Sequence, residues 1–188
     1  MRSMFFFGYG SLVNAATHPH APCLPATVRG WRRTWVATPQ RALCYLSVVR
    51  DPASQVEGAI APVPDGDWAA LDLREAVYAR HDATADVTHD SEAGQIAIYS
   101  VPPEHSGAPG PENAILLSYL DTVIGGFLHL HGRAGAEAFF ATTSGWEAAV
   151  LNDRAAPRYP RSIAPTHEVL DLIDESLSSL GSRIVTAE

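Results

Sequence analysis

Short runs of β type crowd the first hundred residues, and helical spacing takes over only after residue 113, which restricts the chain to an α+β fold around a mixed or barrel-like sheet. Met4-Phe5-Phe6-Phe7-Gly8 is too brief for helical periodicity and reads as a buried strand. Leu43 to Val49 is a second β-type run, and Val56 to Val63 alternates until Pro64-Asp65-Gly66 stops it, so two adjacent antiparallel strands are predicted there. Gln95 to Val101 is a further strand, whereas Thr27 to Val36 is ambiguous. A helix is predicted through Trp68, Leu71, Leu73 and Val77, capped by Asp65 or Asp67. Glu104 to Pro111 reads as a loop. Asn113 to Leu130 carries apolar residues at spacings of three and four, with shorter helices at Ala134 to Thr142 and Val169 to Leu180.

At 188 residues, 46% apolar and 18% charged, the chain matches the size and composition of one globular unit with a single core. The expectation is one domain over 1–188, with the residues after about 130 as a helical C-terminal extension. A formal net charge of −8, with no basic stripe, argues against nucleic acid and anionic membranes as partners. All 13 basic residues are Arg. Without lysine there is no P-loop lysine, Schiff-base lysine or Ser–Lys dyad. Cys23 and Cys44 form no CxxC pair or zinc-ligand spacing, and they read as reduced, packed thiols. Met1 to Phe7 lacks a long apolar core and a small-residue cleavage site, and no run is long enough for a membrane helix, so a cytoplasmic protein is expected.

Two segments could carry chemistry. Phe7-Gly8-Tyr9-Gly10-Ser11-Leu12 follows the first strand directly. Its glycines allow close approach of a ligand, and successive N–H groups there could form an anion-binding nest. It is neither a Walker loop nor a dinucleotide loop, because Val13 stands where the third glycine would be. A tight turn around a packed tyrosine is the plainer reading. The second segment, Leu71 to Tyr78, sets Glu75 among apolar neighbours, where desolvation would raise its pKa toward that of a base working near neutrality. The alternative is a surface pair with Arg74 or Arg80.

Read together, the two segments resemble the γ-glutamylcyclotransferase-like superfamily, which includes AIG2-like and ChaC-like proteins. Its members open with a strand and Y-G-S-[LN], here Tyr9-Gly10-Ser11-Leu12. They carry a glutamate in L-D-x-x-E-G, here Leu71-Asp72-Leu73-Arg74-Glu75-Ala76, with alanine in place of the glycine. Tyr78-Ala79-Arg80 is similar to the tyrosine and arginine that follow the glutamate, and Tyr119 matches a tyrosine on a later helix. The resemblance covers roughly residues 4 to 130. It implies a small mixed β-barrel flanked by helices, with Glu75 as catalytic residue and Tyr9, Gly10, Ser11, Leu12, Tyr78 and Tyr119 binding the substrate. It also implies closure of the γ-glutamyl group of a small compound to 5-oxoproline with release of the amine, a reaction that calls for no cofactor, metal or nucleotide. A binding module with the same cavity, or an enzyme for another small amide or ester, remains the alternative.

Three other features are weaker. His129-x-His131 and His18-x-His20 could each pair on a metal, but neither has a third ligand nearby, and ordinary helix-end or surface histidines are the plainer reading. Trp31 and Trp35, beside Arg29, Arg32 and Arg33, read as core aromatics. Asn152 to Arg161 gathers Arg154, Arg158 and Arg161 around two prolines, either as a clamp for a carboxylate or as a solvated loop with internal Asp–Arg pairs.

Overall fold

A computed structural model describes residues 3–110 and 112–186, so Met1 and Arg2 of the N-terminal run and Pro111 at the end of the predicted loop lie outside it. Strand β1 (Met4–Gly8) takes a central place in the sheet, antiparallel to β3 (Arg41–Pro62) and parallel to β6 (Gln95–Ser100). Successive side chains on a strand face opposite ways. Phe7 therefore enters the main core, while Phe6 enters a smaller apolar cluster with Leu12, Leu71 and Tyr99. Burial on both faces is what an unbroken phenylalanine run requires.

The ambiguous stretch from Thr27 lies within strand β2 (Leu24–Thr38), which turns back at Pro39-Gln40 into β3 with Thr38 opposite Arg41. The two predicted strands at 43–49 and 56–63 prove to be one long strand, and both parts pair with β2. Between them the register jumps, with Arg29 opposite Gln55 but Trp31 opposite Arg50. The four intervening residues bulge outward, held by Asp51, whose carboxylate accepts from Ala53 N at 3.2 Å and Ser54 Oγ at 2.9 Å. A bulge interrupts the apolar alternation without ending the strand, and the sequence pattern reads that as two strands.

Helix α1 is only six residues, Ala69–Arg74, with Asp67 Oδ1 accepting from Ala69 N at 3.0 Å. Val77 falls beyond its end. The chain continues through β4 (Ala79–Asp82), β5 (Val87–His89), β6, β7 (Ala114–Leu116) and α2 (Leu117–Thr142). The predicted helix from Asn113 thus begins later, after a short strand. Gly132, at φ +67°, breaks α2 and accounts for the two helices read from the sequence. Strands β8 (Thr143–Ser144) and β9 (Ala149–Asn152) follow, then α3 (His167–Leu180), capped by Thr166 and ended by Gly181, and β10 (Ile184–Thr186). The region after residue 130 therefore adds three strands as well as helix.

The fold is α+β. Its ten-stranded mixed sheet runs β10-β9-β7-β3-β1-β6-β4, with β2 on β3 and both β5 and β8 on β2. Among the described residues β4 and β5 form no ladder, but the turn Ala83–Asp86 joins them covalently, so the curled sheet comes back toward β2. Helix α3 sends Val169, Leu172, Ile173 and Leu177 into the core beside α2. No helix among the described residues is long and apolar enough to cross a membrane.

Candidate active site

The end of β1, the end of α1, the first half of β3 and the start of α2 surround a cavity of about 280 Å³. Each position singled out in the sequence, Tyr9, Gly10, Ser11, Leu12, Glu75, Tyr78 and Tyr119, lies on its wall. Local structure places them. Gly8 ends β1, and a 3-10 turn over Ser11–Val13 wraps the next residues back, with Val13 N donating to Gly10 O at 2.9 Å. Helix α1 stops so that Glu75 N still donates to Leu71 O at 2.9 Å, while Tyr78 N turns back onto Glu75 O at 2.8 Å. Glu75 therefore sits where a helix gives way to a turn, with its side chain directed at the cavity.

Arg74 ties these two segments together. Its Nη1 donates to Thr17 O at 2.8 Å, its Nη2 to Ser11 Oγ at 3.3 Å, and its Nε lies 3.2 Å from Glu75 Oε1. The sequence offered a surface Glu75–Arg74 pair as the alternative to a base. The pair exists, but it is largely buried, with side-chain exposures of 10% and 16%. Arg80 is taken instead by Asp72, at 3.1 Å. Burial raises the Glu75 carboxyl above its ordinary range, and the nearby charges of Arg74 and Arg161 oppose that rise without cancelling it.

The tyrosines behave differently. Tyr9 Oη donates to Tyr99 O at 2.7 Å and Tyr78 Oη to Leu46 O at 3.0 Å. Burial lifts Tyr9, Tyr78 and Tyr119 well above the usual phenol range, so all three stay protonated at neutral pH. Tyr119 stands edge-on to Trp35 and Tyr159, with ring centroids 5.8 and 5.0 Å away, and its hydroxyl meets the backbone of Ser11. Cys44 also faces the cavity, but burial pushes its thiol up to about 12, so it is no thiolate nucleophile.

The remaining candidates separate. His131 Nε2 lies 2.8 Å from Gly58 O and its ring stacks on Phe127, while His18 Nε2 lies 3.0 Å from Leu12 O. Among the described residues no three His, Cys, Asp or Glu side chains gather as a metal site. Trp31 and Trp35 are core residues, 3% and 2% exposed. The three arginines after Asn152 part company. Arg154 forms ion pairs with Asp121 at 2.6 Å and Asp174 at 3.2 Å, whereas Arg158 and Arg161 reach the cavity mouth beside Tyr159. The sequence does not single out Arg41 and Tyr45 on the wall, and it gives Trp35 only as a core aromatic, because neighbours on the β2–β3 hairpin become visible only once its register is known.

A curled mixed sheet thus carries one cavity on which the Glu75 carboxylate and the Gly10–Leu12 loop both lie. Among solved structures, the chain is similar to a gamma-glutamyl cyclotransferase at 16% identity, covering 92% of this chain and 99% of that one with a TM-score of 0.57. An uncharacterized protein from Homo sapiens matches at 15% identity, over 93% and 99% of the two chains, with a TM-score of 0.58. YkqA from Bacillus subtilis matches at 16% over 67% and 48%, with a TM-score of 0.50. No curated protein sequence matches the chain. A sequence model of the family "Gamma-glutamyl cyclotransferase, AIG2-like" matches residues 6–115, and the chain belongs to that family.

Proposed function

We propose that the chain is an enzyme that cyclises the γ-glutamyl group of a small γ-glutamyl compound to 5-oxoproline and releases the amine. The observation that carries this reading is the placement of Glu75: a mostly buried carboxylate, raised by burial, on the same cavity as the Gly10–Leu12 backbone. The substrate's α-ammonium must lose a proton before it can attack its own γ-carbonyl, and Glu75 takes that proton. The new C–N bond closes the five-membered ring and turns the carbonyl oxygen into an oxyanion. Backbone N–H groups of the Gly10–Leu12 loop face either that oxyanion or the substrate α-carboxylate. Glu75 then returns its proton to the departing nitrogen, the oxyanion collapses as the old C–N bond breaks, the ring nitrogen sheds its second proton, which the released amine carries away as an ammonium, and no water is consumed. Tyr9, Tyr78 and Tyr119 shape the cavity and keep their protons throughout. Bringing amine and carbonyl together within one substrate makes the attack intramolecular, so the protein has mainly to hold a bent conformer.

Ala76, where the family carries glycine, favours a second reading in which the cavity binds without turnover. Among the described residues Asp65 is the one non-glycine with positive φ, so the backbone at Ala76 does not demand glycine, and that weakens this reading. The test is 5-oxoproline release from γ-glutamyl amino acids, glutathione and γ-glutamylamines, with Glu75→Gln alongside. Release that falls about 10²- to 10⁴-fold in a folded Glu75→Gln variant supports the enzyme. A γ-glutamyl compound that raises Tm without being consumed supports the binding module.

A further inference from the structure

The chain carries net charge −8, yet its cavity has the opposite balance: Arg41, Arg74, Arg158 and Arg161 against the single carboxylate of Glu75. Two of these arginines are already engaged. Arg74 binds Thr17, Ser11 and Glu75, and Arg41 lies 3.8 Å above the Tyr45 ring with Nη2 on Cys44 O. Arg158 and Arg161 are exposed, and among the described residues neither guanidinium has a hydrogen-bond or ion-pair partner. Both stand on a strap that is firmly held. Buried Asp153 accepts from Ser118 N at 2.8 Å, Ser118 Oγ at 2.5 Å and Arg158 N at 2.8 Å. Tyr159 N donates to Ser118 Oγ at 3.3 Å and Ile163 N to Thr122 Oγ1 at 3.0 Å. Arg154 fastens the base of the strap to Asp121, and Pro157 just before Arg158 and Pro160 between the two arginines remove backbone freedom. Two unpartnered guanidiniums on an ordered support are poised for an anion.

We propose that Arg158 and Arg161 recognise a carboxylate on the amine half of the substrate, so that the chain selects γ-glutamyl amino acids or peptides over γ-glutamylamines. This rests on the cyclotransferase reading for its reaction, but the recognition itself is a matter of charge at the mouth. The γ-glutamyl half brings one carboxylate and one ammonium, so it leaves the excess of arginine unmatched. A second carboxylate, carried by the leaving amine, reaches the rim while the scissile amide lies near Glu75. The strap lies outside the 6–115 span that the family model matches.

The decisive comparison uses γ-glutamylalanine and γ-glutamylethylamide, which differ only in that carboxylate. The expected result is a kcat/KM for γ-glutamylalanine higher by about 10- to 100-fold, the value of a charge-assisted contact. In the Arg158→Gln/Arg161→Gln double variant this ratio collapses toward one, chiefly through KM. Arg161 also acts on Glu75, but that effect touches both substrates and cancels in the ratio. Equal kcat/KM for the two compounds in the unaltered protein, or a ratio the double variant leaves intact, overturns the recognition while the cyclotransferase reading stands. Calorimetric titration of the Glu75→Gln variant with both compounds separates the other case. Tighter binding of γ-glutamylalanine that the two arginine changes abolish, together with no 5-oxoproline release by the unaltered protein, overturns the reaction and supports the recognition. No binding and no release of either compound overturns both.

Discussion

The α-carbon of Gly10 lies so close beneath the hydroxyl of Tyr119 that a Cβ built there would stand 2.5 Å from that oxygen. Tyr119 cannot easily yield, since Trp35 and Tyr159 flank its ring. Gly10→Ala therefore destabilises the fold by about 1 to 3 kcal/mol. Removing the hydroxyl should restore much of the loss, because the next ring atom lies 3.7 Å from that Cβ, although Leu46 still stands at 3.1 Å. Urea midpoints of Gly10→Ala, Tyr119→Phe and the double variant measure this as a favourable coupling. Strict additivity would contradict it.

The pH profile follows from Glu75. As a base it works only when ionised, so kcat/KM falls as pH drops through its pKa, which burial has raised. The acid limb should thus lie above the ordinary glutamate value of about 4.3. Arg74 is the larger of the two charges holding that pKa down, so Arg74→Gln moves the limb to higher pH, and the variant loses more activity under mildly acidic than under alkaline conditions. An unmoved limb would mean that another group titrates.

Stability carries the same sign. The folded state holds the Glu75 proton more tightly than the unfolded chain does. This side chain's contribution to stability is therefore greatest below the ordinary glutamate range and declines as pH rises through the raised folded value. In Glu75→Gln this part of the pH dependence of Tm should vanish.

Tyr9 and Tyr78 donate hydrogen bonds to the backbone carbonyls of Tyr99 and Leu46. Each change to Phe leaves a carbonyl at the cavity wall without its donor, at about 1 to 3 kcal/mol. Denaturant midpoints should drop by that amount, while kcat/KM falls by far less than in Glu75→Gln. A loss of turnover as large as that of Glu75→Gln would assign the phenol a part in the proton transfers.

Asp153 is 3% exposed and accepts three hydrogen bonds, two from Ser118 of α2 and one from Arg158 N of the strap. Asp153→Ala should lower Tm and raise KM more than it lowers kcat, because the freed strap no longer presents Arg158 and Arg161 in one place. Equal KM in variant and unaltered protein would show that the strap's order is irrelevant to binding.

What the sequence makes legible is what short stretches determine. The Met4–Gly8 strand and the turn that follows it rest on neighbours within a few residues and can be read directly, whereas the helix read as far as Val77 ends at Arg74, just before Glu75. The single strand from Arg41 to Pro62 is misread because four bulged residues interrupt its alternation, although β2 pairs on both sides. The fates of Arg154, Arg158 and Arg161 are decided by Asp121, Asp174 and the cavity, all distant in the chain, so the segment alone cannot divide them between a clamp and an ion-paired loop. Arg74 is read only as a surface partner of Glu75 for a related reason: its link to Thr17 spans 57 positions.

The cavity is assembled from stretches that do not adjoin in the chain. Gly8 to Leu12 and Arg74 to Tyr78 face its interior, and Arg158 to Arg161 face its opening from a strap with fastenings of its own on α2. Inheritance can therefore act on the two separately. On the proposed recognition, changes in the strap would redirect which molecules bind while the interior is left as it was.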